Sequence, residues 1–366
     1  MDSPLLRARK IIDAERDADD VLRATATGLM AGYDARWRCD DWQADSLEET
    51  FRCPIVNPET GRKSRTFTQA GKFDGIVKYM PDGRKYLLEH KTTSEDLSDP
   101  NSPYFRRLAI DSQVSSYLLA HWQNGEKLDG TVYDVIKKPG IRPKKVSAAD
   151  KKKLLETGQY WGMKIDNEAI DNWEYNEDGD WRETPELFSA RLAADTIEHP
   201  EKYFARRVVH RLDNEILEWA EELWDTAQDI RDSIRTGKHY RNSGSCMQYN
   251  RPCDYLSICS GHDTVDSDHW RKRNGNHSEL DGLGNEDHRK ILTHSQMRCF
   301  ATCRRKHYYR YELGIEKEEV SQALYFGDLF HRALEAWWSY YLIPSRKRGN
   351  HDDSIAISAI EAGSAD

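Results

Sequence analysis

Asp74, Glu89 and Lys91 are the residues of this chain whose types and spacing best suit chemistry. Glu89 and Lys91 flank His90. Residues two apart on a strand point to one face, so the acid and the ammonium stand side by side with His90 turned away. Asp74 lies on the preceding strand, and Pro81-Asp82-Gly83 is a turn signal that folds the two strands into a hairpin. Two carboxylates and a lysine on one sheet face can hold a divalent cation and polarise a water, which suits phosphodiester hydrolysis. An isolated Glu-x-Lys equally describes the charged surface of an ordinary hairpin. Gln113 and Tyr117, four apart and therefore neighbours on one helix face, add weight to the site reading. Their plainer reading is a polar helix edge with a core tyrosine.

The elements that must position these residues follow from hydrophobic patterning. Residues 4–39 read as helix, with Ile11, Ile12, Ala14, Ala18, Val21, Leu22 and Leu29 at helical spacing. Residues 47–56, 66–79 and 84–91 read as strands. Residues 104–122 read as a helix striped by Leu108, Ile110, Val114, Tyr117 and Leu118, and 130–136 as a fourth strand. This order predicts a mixed α/β core spanning 40–145. Residues 146–259 read as a mostly helical region with a strand near 206–211. Residues 260–290, rich in Gly, Asn, Asp, Ser and His, read as a linker. An ordered segment follows at 291–340, and the last residues are small and polar, as in a fraying end.

The chain of 366 residues is long enough for a large core, and its 11 Trp and 18 Tyr argue against disorder despite 32% charged residues. A net charge of −9 excludes a generally basic nucleic-acid coat but not a local basic channel. No apolar run approaches the ~20 residues of a membrane span. Met1-Asp2-Ser3-Pro4 lacks a signal-peptide pattern, so a cytoplasmic location is the expectation. The seven cysteines then read as metal ligands before disulfides. Cys246, Cys253 and Cys259 cluster at spacings unlike a zinc ribbon or a ferredoxin run, and Cys303 opens Cys303-Arg304-Arg305-Lys306-His307-Tyr308-Tyr309. Reduced structural cysteines and a zinc site are the competing readings, with Cys299 an alternative fourth ligand and Cys39 and Cys53 left over. His331 lies four residues after Gly327 and four before Glu335. A lone histidine on an apolar helix is usually a packed core residue.

Phe73-Asp74-Gly75, Leu88-Glu89-His90-Lys91-Thr92-Thr93 and Gln113-Val114-Ser115-Ser116-Tyr117 resemble the motifs of the PD-(D/E)XK nuclease superfamily. The branch they resemble is the RecB-like exonucleases, including the iron–sulfur nucleases of CRISPR systems and of phages. The resemblance implies a restriction-endonuclease-like mixed sheet flanked by helices with a helical iron–sulfur subdomain. It implies Mg²⁺ or Mn²⁺ at Asp74 and Glu89, with the His90 backbone carbonyl and His331 as further ligands. Lys91 would orient the attacking water or stabilise charge, and Gln113 and Tyr117 would position DNA or the lysine. The Pro of the family's name is replaced by Phe73. The cysteine segments are similar to those that bind a [4Fe–4S] cluster, with Arg304 standing where the family has Pro. The implied ligands are Cys246, Cys253, Cys259 and Cys303, and the implied role is a structural staple.

The order of the segments departs from the family. There the Cys-Pro-Arg-Lys and Gly-x-x-x-His helices come first and the three cysteines close the chain. Here those opening segments follow the cysteines. A circular permutant is one explanation, a single domain over 1–366 with the usual ends joined through 260–290 and Met1 near Asp366. An out-of-order fragment whose tail starts a second copy is the other. Each motif occurs once in a complete set, which favours permutation. It predicts that His331 reaches Asp74 and that Cys303 reaches Cys246.

Basic residues (Arg106-Arg107, Lys137-Lys138, Arg142, Lys144-Lys145, Arg206-Arg207, Arg304-Arg305-Lys306) are candidates for phosphate contacts, and Trp337, Trp338, Tyr340 and Tyr341 for base stacking or for packing their own helix. The resulting expectation is a metal-dependent DNA exonuclease acting on single strands or duplex ends, with a helicase or recombination partner left open. A non-catalytic DNA- or partner-binding module that keeps the fold is the rival, and a redox iron–sulfur protein a third reading.

Overall fold

In the computed structural model, the described residues are 2–342 apart from 172, 174–179, 249–250, 274, 276, 278–279, 281–282, 284–287 and 319–321. Asp366 and Met1 therefore lie outside them, as do parts of the expected linker.

The main sheet has six strands: β1 (Trp42–Val56), β2 (Lys63–Tyr79), β3 (Lys85–Thr93), β4 (Thr131–Lys137), β5 (Phe204–Val209) and β6 (Lys290–Leu292). The order is β1-β2-β3-β4-β5, with β6 added beside the far half of β2. Only the β3–β4 and β2–β6 pairs are parallel, so the sheet is mixed as expected. The Pro81-Asp82-Gly83 turn closes the β2–β3 hairpin: Gly83 takes φ +75° and its N–H donates to the Tyr79 carbonyl at 2.8 Å. β4 is buried along almost its whole length, the pattern of a central strand covered on both faces.

Helices α1 (Pro4–Ala14), α2 (Asp20–Trp37), α3 (Ser112–Gln123), α4 (Pro185–Glu198), α5 (Asp213–Thr236), α6 (His294–Thr302), α7 (Arg304–His307) and α8 (Gln322–Trp338) flank the sheet. α3 and α5 cover one face with Leu87, Tyr133 and Val135. α1, α2 and α8 cover the other with Leu88, Val132 and Ile136. Two helices expected as continuous are broken. The 4–39 pattern divides because Asp19 caps a new helix by accepting the Val21 N–H, and 104–122 divides because Asp111 does the same for Gln113. α2 and α4 approach closely at Gly28 and Gly32; a Cβ on Gly32 would stand 2.2 Å from Thr196 Oγ1. The linker is partly structured, since Trp270–Lys272 pairs with Ile315–Lys317.

Candidate active site

The β2–β3 ladder ends at the pair Gly75↔Leu88. Beyond it the Asp74 carboxylate takes over the role of a ladder partner: its Oδ2 accepts the His90 backbone N–H at 2.6 Å. This bond fixes Asp74 against the strand that carries Glu89 and Lys91. Alternation along β3 then does what the spacing predicts. Lys91 Nζ lies 2.7 Å from Glu89 Oε1, while His90 turns to the opposite face, its Nδ1 3.2 Å from Asp134 Oδ2. Across from Lys91, α3 supplies Gln113, whose Oε1 accepts from Nζ at 2.9 Å and whose Nε2 donates to Tyr117 Oη at 2.9 Å. The capping residue Asp111 also faces the lysine, at 3.7 Å.

The second half of the site comes from the far end of the sequence. β6 runs parallel to β2, and the following helix docks on α3 through His294 and Ser112, 2.9 Å apart. α8 brings His331 Nδ1 to 3.9 Å from Asp74 Oδ1. The N-terminal helix packs on α8, where Arg7 donates to Ser339 Oγ at 3.0 Å and both Tyr325 and Arg332 donate to Glu15.

The electrostatics are those of a pocket with excess negative charge. Burial, reinforced by the charges of Asp74 and Asp111 against the pull of Lys91, pushes Glu89 up to about 7. Burial works against charge on Lys91 as well, but Glu89, Asp111 and Asp74 outweigh it and raise its affinity for a proton. Burial holds His331 below its ordinary value, so its imidazole is neutral near pH 7 and has the ligand form. Among the described residues, no group of three or more His, Cys, Asp or Glu side chains is gathered tightly enough to hold a metal ion.

The segments that carry Cys246, Cys253, Cys259, Cys299 and Cys303 lie beside one another around α6 and α7, but among the described residues no three of these thiols are gathered into a group that could hold a metal or cluster, contrary to the expectation of a ready-formed four-cysteine site. The Cys253 N–H donates to the Cys246 carbonyl at 2.8 Å. Asn242 and Ser245 both donate to the Thr302 carbonyl, beside Cys303, at 2.9 and 3.1 Å. Cys303 is one helical turn from Cys299, and burial pushes the Cys299 thiol up to about 11, with Lys306 pulling it down and Cys303 and Cys253 pushing it further up. Cys253 and Cys259 pack on Tyr255, Trp270, Tyr309 and Ile315. Cys53 is a buried strand residue and Cys39 is exposed.

Several functional neighbours escaped sequence reasoning. Asp111 was legible only as a helix cap. Glu48, between the pairs Leu47↔Gly75 and Glu49↔Phe73, holds Lys72 at 2.5 Å, and Asp74 and Glu335 act on both. The expected phosphate-binding cations mostly have other duties: Arg206 is buried against Asp134 and Asp40, Arg304 pairs with Asp229 at 2.7 Å, Lys137 faces Asp96, Lys144 stacks on Trp161 and Arg207 on Phe105. Trp337 and Trp338 are buried, so they pack their helix and cannot stack on bases; Tyr340 is exposed.

Comparison with known proteins agrees in part. No curated protein and no solved structure matches the chain. The mixed sheet flanked by helices is consistent with a PD-(D/E)XK fold, and residues 291–362, the segment that supplies His331 and Cys303, match the family model of the PD-(D/E)XK nuclease superfamily, whose members are generally metal-dependent nucleases.

Proposed function

We propose that the chain is a metal-dependent DNA exonuclease whose active site is Asp74, Glu89, Lys91, Gln113, Tyr117 and His331. The observation that carries this reading is the meeting of Lys91, bridged between Glu89 and Gln113, with Asp74 and a histidine from the far end of the sequence. The donors suit a hard divalent cation: two carboxylates, of which Glu89 is lifted by burial and then by the charge of Asp74, the His90 carbonyl, and an imidazole held towards its neutral form that makes Mn²⁺ as acceptable as Mg²⁺. When bound, such an ion supplies Lewis-acid polarisation of a phosphoryl oxygen and of water. The rest belongs to the chain. Lys91, kept charged by three acids, is a hydrogen-bond donor and not a base; it holds the attacking water or the developing negative charge. Gln113 fixes the ammonium, and Tyr117 fixes Gln113.

The four cysteines Cys246, Cys253, Cys259 and Cys303 would hold a [4Fe–4S] cluster that ties the segment before the linker to the one after it. The packing of Cys253 and Cys259 on the aromatic cluster, and the electrostatic influence of Cys303 on both Cys253 and Cys299, support this reading, although the thiols would have to draw together on loading, with Cys299 as the alternative fourth ligand. The contacts of α1 and α8 with each other, and of His331 with Asp74, support a permuted single domain over two truncated copies.

The test is release of acid-soluble nucleotides from labelled DNA with Mn²⁺. Lys91→Ala should slow it on the order of 10³-fold. Equal rates in the two proteins would leave the non-catalytic binding module as the better reading. Iron analysis and visible absorbance of the purified chain, compared with Cys303→Ser, separate a cluster from zinc or free thiols.

A further inference from the structure

Of the cations the sequence highlights, Lys306 is the one that lines a cleft suited to a nucleic-acid strand, and it does so with two arginines, Arg298 and Arg310, that the sequence does not single out. A cleft of about 540 Å³ opens along α6 and α7, lined by Arg298, Lys306 and Arg310 together with Ser295, Gln248 and Thr302. Cys299 and Tyr311 complete its walls, and among the described residues no carboxylate lines it, in a chain whose net charge is −9. Among the described residues Arg298 and Lys306 have no ion-pair partner, unlike their neighbour Arg304. Arg310 is half-buried, with its guanidinium over the Tyr311 ring at 5.8 Å, which fixes its direction. Ser295 also lines a second, smaller cavity, whose walls include Phe51, Ala70, Lys72, Tyr117 and His294. That cavity abuts the Gln113–Tyr117 pair of the candidate active site. Ser295 therefore borders both the cation-lined cleft and a cavity walled by Tyr117 of the candidate active site.

We infer that the cleft of Arg298, Lys306 and Arg310 is a strand-binding subsite that grips the phosphodiester backbone beyond the bond being cut. This rests on the proposed nuclease function. Three cations without a facing acid give sequence-independent, salt-sensitive affinity, and the hydroxyl and amide groups of Ser295, Thr302 and Gln248 add neutral donors to phosphate oxygens. Ser295, shared by the cleft and the cavity beside Tyr117, sets the cleft next to the candidate active site, as a strand leading to that site requires.

The test is fluorescence anisotropy on the intact chain in EDTA, with a labelled single strand of about 16 nucleotides. Arg298→Glu and Lys306→Glu should each weaken binding about tenfold or more and lower the slope of log affinity against log salt by about one. Lys152→Glu, on a distant exposed helix, should do neither. Where circular dichroism shows a glutamate variant misfolded, Arg298→Gln replaces it, with a several-fold loss expected. Binding unchanged in the cleft variants overturns the subsite, as does equal competition by polyglutamate at matched charge, which marks a general acidic-partner surface. Wild-type binding that the variants lose, with no hydrolysis under any divalent metal, would remove the nuclease reading and keep the subsite. Hydrolysis with unaltered binding in the variants would do the reverse.

Discussion

The two faces of the sheet at β3 and β4 each bury an acid, Glu89 on β3 and Asp134 on β4, and the acids meet opposite fates. On one face Asp134 is fully enclosed, yet it is answered from every side. Arg206 Nε lies 3.2 Å from Oδ1, Tyr33 donates to Oδ2, and His90 stands beside it. Arg206 is itself held by Asp40 at 2.6 Å and by the Tyr33 hydroxyl, which also accepts from Trp338 at 3.1 Å. Burial alone would raise Asp134, but Arg206, His90 and Tyr33 together bring it down to about 2. On the other face Glu89 has one cation, Lys91, and that cation is shared with Asp111 and Gln113, while Asp74 adds a like charge. An acid so answered by Arg206 and Tyr33 reads as structure. The other face leaves a buried acid raised beside a like charge, the electrostatic pattern of a candidate functional group.

The comparison can be broken most severely on the structural face. Arg206→Met leaves Asp134 buried without its cation, and unfolding in urea should show a loss of roughly 3–5 kcal/mol. A variant as stable as wild type would mean that the network is no more than decoration. Asp134, which faces His90, would also lose its fixed cation, so the surviving folded molecules test whether support from behind the strand matters to the candidate active site.

A smaller effect separates the faces by pH. Glu89 has a native pKa of about 7, above its ordinary 4.5, so the native state holds this proton more tightly than the unfolded chain does. Its contribution is present below the ordinary value and lost as pH rises through about 7, provided no divalent cation is bound. Asp134 runs the other way: its native value is depressed, so its contribution is present above 3.8 and lost only as pH falls towards about 2. In EDTA the urea midpoint of the wild type should therefore fall between about pH 5 and pH 8 relative to Glu89→Gln. Parallel curves for the two proteins would contradict the assignment of Glu89 as the frustrated acid.

The smallest effect concerns Gly327. A Cβ there would meet only Thr92 Oγ1, at 3.9 Å, so the helix does not require glycine for packing. Gly327→Ala should stabilise the protein by about 0.5–1 kcal/mol. A stabilised variant with impaired hydrolysis would show that the space beside Thr92 belongs to substrate.

Much of this arrangement was legible in the sequence, for definite reasons. Period-two alternation placed Glu89 and Lys91 on one side of β3 and His90 on the other, and the Pro-Asp-Gly turn set the hairpin register. Helical spacing paired Gln113 with Tyr117. The approach of His331 to Asp74 was expected from the order of the motifs, not from any local pattern, because nothing near either residue encodes a contact so distant in sequence. Less was readable where long-range partners decide the role of a charge. Arg206 and Arg304 look like phosphate-binding cations until Asp134, Asp40 and Asp229 are brought to them by the fold. Arg298 and Arg310 drew no attention because they stand alone in sequence, and only the packing of α6 against α7 makes them a cleft. Helix breaks at Asp19 and Asp111 were hidden by uninterrupted apolar spacing, although both are good capping residues.

The central claim is that segments from opposite ends of the chain assemble one metal-dependent hydrolytic site. Mn²⁺ binding measured by calorimetry on the intact wild type, Asp74→Asn and His331→Ala, with DNA hydrolysis followed in the same samples, tests it most directly. The account predicts that both substitutions weaken the same Mn²⁺ site and depress hydrolysis together. His331→Ala binding Mn²⁺ and cutting DNA like the wild type, while Asp74→Asn does neither, would contradict it.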